Sequence, residues 1–173
     1  MLVTLFKAKL HRARPPLQAL ALAGALCLAA CSPSGPPGVD RDELDAQVSK
    51  AIGDPASCLL IGKAGSGRVL YRYNSATACD RELPNCTPDG QPQGKMKVGK
   101  LLDATAKDRQ PHTLSCSSTA DGSRGVGWAA GPIQGTDLVY AAMMEGDRSF
   151  PGRMMAERLE AAFRRAKVSK PAP

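Results

Sequence analysis

The sequence is poor in the residues that carry metal and phosphate chemistry. Its 173 residues hold two histidines, His11 and His112, and none of its six cysteines falls in a Cys-x-x-Cys pair. A structural zinc site needs four such ligands, at characteristic spacings, so zinc is a poor rival to disulfides here. Gly65-Ser66-Gly67 has no phosphate-loop pattern, and no cofactor is expected. No internal repeat is visible. The longest apolar run, Leu17 to Ala30, falls short of the ~20 residues that a spanning helix requires. Acid is missing from the first 31 residues, which carry Lys7, Lys9, Arg12 and Arg14. A basic start, a short apolar segment and small residues before a cleavage point are the parts of a secretory signal.

The apolar run closes on Leu28-Ala29-Ala30-Cys31. This resembles the lipobox of bacterial lipoproteins, in which the leader is removed and the Cys becomes an acylated first residue. The resemblance implies a signal peptide over 1–30, lipid on Cys31 and a protein held at a membrane facing the periplasm. Several acyl chains on one residue suffice for stable attachment. Ser32 stands where Gram-negative lipoproteins retained at the inner membrane commonly have Asp, so the outer membrane is expected. Residues 31–39 read as a lipidated Cys and a Pro/Gly-rich tether, 40–168 as one domain and 169–173 as a tail.

The formal charge of +7 overstates the basicity of that domain. Without the leader, nineteen Lys and Arg face sixteen Asp and Glu, a net +3. A solvated surface explains that excess, and no nucleic-acid partner is expected. About 140 residues are enough for one small core. Cys27 leaves with the leader and Cys31 takes lipid. Cys58, Cys79, Cys86 and Cys116 remain, an even number in an oxidising compartment, and read as two disulfides with three possible connectivities.

Asp40 and Glu43 form a capping-box pattern ahead of Leu44, Val48, Ala51 and Ile52, which predicts a helix ending at Gly53. Cys58–Lys63 and Arg68–Tyr73 flank a Gly-rich turn and predict a β-hairpin. Residues 74–97 read as loop, and 98–106 as a short helix stopped by Pro111. Strands are expected at 113–117, as an edge, at 125–130 and at 137–144. The last is apolar on both faces, the mark of a central strand. Pro151 suits a first helical position, and Met155, Leu159, Ala162 and Phe163 make one apolar face of a final helix. The expected fold is α+β: a five-stranded antiparallel sheet with N- and C-terminal helices packed on one face.

That order resembles the sheet half of the penicillin-recognising serine hydrolases, class D β-lactamases in particular. The residues that carry the likeness are Cys58 to Asn74, Gly127-Trp128-Ala129-Ala130-Gly131, Leu138 to Met144 and Arg153 to Arg165. In that family a Ser-x-x-Lys motif follows the first hairpin. Here Cys86 stands at the Ser and Asp89 at the Lys, Ser123-Arg124-Gly125 is the nearest text to the Lys-Thr-Gly strand motif, and the helical insert shrinks to 90–111. The resemblance therefore implies a degenerate domain without the β-lactam machinery. It also implies a pairing, Cys58 with Cys79 and Cys86 with Cys116.

Three functional expectations follow. The first is a non-catalytic module binding an envelope protein or a cell-wall partner, through a sheet face left bare by the lost insert. The second is a hydrolase or acyltransferase using Cys86 as nucleophile with His112, or Lys95 or Lys97, as its base. A small cell-wall or lipid-binding module is a third. Trp128 and the methionines Met143, Met144, Met154 and Met155 read as core, and Lys95, Lys97 and Lys100 as a solvated face.

Overall fold

The structure, a computed structural model, describes residues 35–169. The leader, Cys31 and the last four residues lie outside it. Helix α1 (Arg41–Ile52) leads into the hairpin β1 (Ser57–Lys63) and β2 (Val69–Tyr73). A helical turn, α2 (Ala76–Cys79), precedes a small hairpin of β3 (Leu83–Cys86) and β4 (Pro92–Met96). Helix α3 (Val98–Asp108) follows, then β5 (His112–Ser117), β6 (Gly125–Pro132), β7 (Leu138–Gly146) and α4 (Gly152–Arg165). The main sheet is antiparallel in the order β2-β1-β7-β6-β5.

β7 is the axis of the fold. All nine of its residues are buried. On one side Tyr140, Ala142 and Met144 join Leu59, Ile61 and Tyr71 under α1 and α4, as the apolar periodicity of the two terminal helices predicts. Val39 also packs there. On the other side Val139, Ala141 and Met143 meet Leu60, Trp128 and the apolar stripe of α3, Val98, Leu101, Leu102 and Ala106. The expected bare sheet face does not exist. A strand with no polar face must be covered twice, and the short segment that includes α3 supplies the second cover.

The insert is more ordered than its composition suggests. Pro84 and Pro92 and a nearly all-exposed β4 hide the strand pattern of 83–96. The hairpin is fixed from within, by Thr87 bonding to Gln91, and from without, by the Trp128 indole N–H donating to the Pro84 carbonyl at 2.9 Å. Helix α3 ends on Arg109 in the left-handed region (φ 54°), two residues before Pro111.

The expected tether is also partly folded. The Gly35 N–H donates to the Leu70 carbonyl on the free edge of β2 at 2.9 Å, Val39 N–H bonds the Pro36 carbonyl, and Pro36 is buried. Asp40 caps α1 through the N–H groups of Asp42 and Glu43. Glu43 does not close a capping box; its carboxylate accepts from the Gln47 amide. The methionines divide. Met144 and Met155 meet under α4, Met143 lies on the α3 side, and Met154 is exposed.

Pro151 precedes α4 as its N-cap, and Gly152 is the first helical residue. The glycine is required by proximity. A Cβ there would run into the Trp128 carbonyl oxygen and lie 2.6 Å from that of Leu114, while the Gly152 N–H donates to the Ser115 hydroxyl oxygen at 2.8 Å. Gly152→Ala gains up to ~1 kcal/mol of helix propensity but forces α4 off two strand backbones, at a cost of about 3 kcal/mol. A lower urea midpoint is expected; a raised one would contradict the packing.

Candidate functional site

The residues singled out for chemistry gather on the insert side of the sheet, and most are engaged in holding it. Cys58 is bonded to Cys79, and Cys86 to Cys116, the pairing that the resemblance implies. The first bridge ties α2 to β1, the second ties the β3–β4 hairpin to the edge strand β5. In a disulfide Cys86 offers no thiolate. His112 is four residues from Cys116 along β5, ~13 Å at strand spacing, and its Nε2 faces Asp108 Oδ2 at 2.9 Å. The structure therefore does not bring the expected thiol and base together. Lys95 stands opposite Pro84 in the β3–β4 ladder and is exposed, and Lys97 is the N-cap position of α3. Lys100 lies exposed on the first turn of that helix.

The two stretches nearest the hydrolase motifs serve turns. Asp89 sits exposed in the β3–β4 turn, its carboxyl held below the usual range by the Thr87 hydroxyl. In the β5–β6 loop the Thr119 hydroxyl and the Ser123 N–H and hydroxyl lower the Asp121 carboxyl to about 2. The Ser123 hydroxyl donates to Asp121 at 2.8 Å, so neither Ser123 nor Asp121 stands free as an acid–base pair.

A cluster that sequence reasoning missed lies beside that loop. Glu145 ends the apolar run of β7, and its side chain is 6% exposed. Arg124 grips it with two bonds, Nε to Oε1 at 2.9 Å and Nη2 to Oε2 at 3.0 Å. Arg81 adds a bond to Oε2 at 2.8 Å and the Ser118 hydroxyl one to Oε1 at 3.0 Å. Fork-on-fork pairing is the strongest form of such contact, and a buried carboxylate needs it to offset desolvation. The bonds from Arg124 hold the Glu145 carboxyl down at about 2 against the opposing pull of burial, with Arg81 and Ser118 adding to the effect. The same contact raises the Arg124 guanidinium further. The one sequence signal was an acid closing a run otherwise free of charge. Its partners are 64 and 21 residues away, beyond any local pattern. Contacts from two segments, the link after α2 and the β5–β6 loop, converge on β7 and make this a clamp.

Among the described residues no group of three His, Cys, Asp or Glu side chains is placed to hold a metal, and no helix is long and apolar enough to cross a membrane. Trp128 is fully buried and bonded, as core. Comparison with protein-family models, with curated proteins and with solved structures gives no match to this chain.

Two outcomes test the site. Alkylation of the unreduced mature chain should leave Cys58, Cys79, Cys86 and Cys116 unmodified in intact mass, all four labelling after reduction; a labelled Cys86 before reduction would restore a thiol. Glu145→Gln should lower stability by roughly 2 kcal/mol at neutral pH, discounted because both arginines are over a third exposed. The folded carboxyl titrates below its unfolded value of 4.5, so its contribution is complete above that pH and fades as pH falls towards about 2. Wild-type and variant urea midpoints should converge across that window; a gap that persists at pH 2 would mean the clamp is not electrostatic.

Proposed function

We propose that this chain is a lipid-anchored lipoprotein of the bacterial cell envelope, cut before Cys31 and facing the periplasm, at the outer membrane. Its domain acts as a non-catalytic binding or accessory module for an envelope protein or cell-wall partner. The observation that carries the reading is Leu-Ala-Ala-Cys at the end of a basic and apolar leader, followed within four residues by a folded domain. Two disulfides suit an oxidising compartment and support it. The non-catalytic half of the reading is supported by Cys86 being bonded to Cys116 and by the turn roles of Asp89 and Ser123. The likeness to the penicillin-recognising hydrolases is taken as a likeness of architecture, and architecture does not carry activity.

The contact surface of such a module is polar. With the sheet covered on both faces, the large apolar side chains left exposed among the described residues are Val69 and Met154, singly placed.

The test is fractionation with intact mass. The wild-type chain should partition with membranes and begin at an acylated Cys31, and Cys31→Ser should move it to the soluble fraction. An unmodified Cys31, or a variant that still sediments with membranes, would overturn the anchoring.

A further inference from the structure

The residues just after Cys31 restrict which end of the domain can meet a membrane. The chain is fixed from Gly35 onward by its bond to Leu70. Cys31 is four residues earlier, and four residues span at most ~14 Å. A domain of this size has a radius of gyration of about 14 Å, so its far end stays well beyond the reach of that link. Near Gly35 lie the β1–β2 turn, the β6–β7 turn and the C-terminal ends of α3 and α4. The β5–β6 loop and the Glu145 clamp are at the opposite ends of the same strands.

A cleft of about 740 Å³ opens at the near end. Pro36, Pro37, Val39 and Leu138 give it apolar walls, and Arg109 and Lys167 give it positive charge. Both cations follow helix ends and hold left-handed backbone, φ 54° and 56°. Among the described residues neither side chain makes an ion pair or hydrogen bond. Of the acids described here, three around the cleft are engaged, while Asp103, beside Gly67 of the β1–β2 turn, and Glu160 on α4 are not. Asp137, which also lines the cleft, faces Lys63 at 3.6 Å, Asp108 faces His112 and Asp40 caps α1.

We propose that this end lies on the bilayer and that the cleft receives the phosphate headgroup of an anionic phospholipid, with Arg109 and Lys167 as its cationic contacts. The proposal rests on the anchoring of Cys31 and adds the orientation and the lipid chemistry. Two unpaired cations and apolar walls lining one cleft suit a phosphate headgroup with its acyl chains, and charges at a bilayer surface act within the ~8 Å screening length at physiological salt. The Glu145 clamp then points away from the membrane.

The test uses the mature chain extracted from membranes, with its intact mass taken first, in nanodiscs of phosphatidylglycerol or of phosphatidylcholine. Amide exchange should slow in the anionic discs over 132–138 and 163–169, by at least about fivefold, the factor one surface-engaged cation supplies. It should not slow over 118–124 or 146–151. The double change Arg109→Gln and Lys167→Gln should abolish the slowing while the chain stays on the disc. The pair Arg109→Lys and Lys167→Arg, which keeps the charge, should retain it and guards against a folding defect. Slowing at the far end, equal slowing in both lipids, or slowing indifferent to the Gln pair would overturn the proposal. A mass without acyl chains on Cys31 would overturn the anchoring and this inference together. An acylated chain with no slowing would overturn this inference alone.

Discussion

The fold depends on a strand that has no side to show to water. β7 carries Val139, Ala141 and Met143 on one face and Tyr140, Ala142 and Met144 on the other. One layer of helices cannot satisfy it. α1 and α4 close one face, and α3 closes the other with the β3–β4 hairpin beside it. The central alanines keep both layers near the sheet, and glycine at 152 lets α4 begin in contact with strand backbone. Both disulfides lie on the α3 side, where the cover is short and built of small pieces. Each bridge contributes ~2–4 kcal/mol to that side.

The polar interior follows from the same constraint. Where β7 leaves the core it ends in Glu145, and a carboxylate at that depth is tolerated only because Arg81, Arg124 and Ser118 converge on it. Tyr71 shows the same economy on the other face: its hydroxyl bonds Asp45 on α1, and burial raises its pKa. These contacts fix segments in place. The motif positions Cys86, Asp89 and Ser123 are likewise held, the first in a disulfide and the others in turns.

What was legible in the sequence was what repeats locally. The periodicity of α1 and α4, the hairpin around Gly65-Ser66-Gly67 and the two-faced apolarity of β7 led to the correct sheet and to the correct side for the terminal helices. What was hidden was non-local or unpatterned. Pro92 to Met96 forms a strand on backbone pairing with no buried face to betray it. Gly35 joins the domain through one bond to Leu70, a contact that Pro and Gly composition argues against. The Glu145 clamp is assembled from three distant segments. The covered sheet face was inferable in principle, since a strand apolar on both sides calls for a second layer, and α3 with its stripe of Val98, Leu101 and Leu102 was at hand to provide it.

The measurement that bears most directly on this account is residue-resolved native-state amide exchange across α3 and β7. If α3 is the second cover that β7 requires, it cannot leave without exposing Trp128 and Met143. The amides of Leu101 to Ala106 should then exchange with the same free energy as those of Val139 to Met143, both through global unfolding. Exchange in α3 orders of magnitude faster than in β7 would show an insert that opens on its own, and would contradict the claim that the strand depends on both layers.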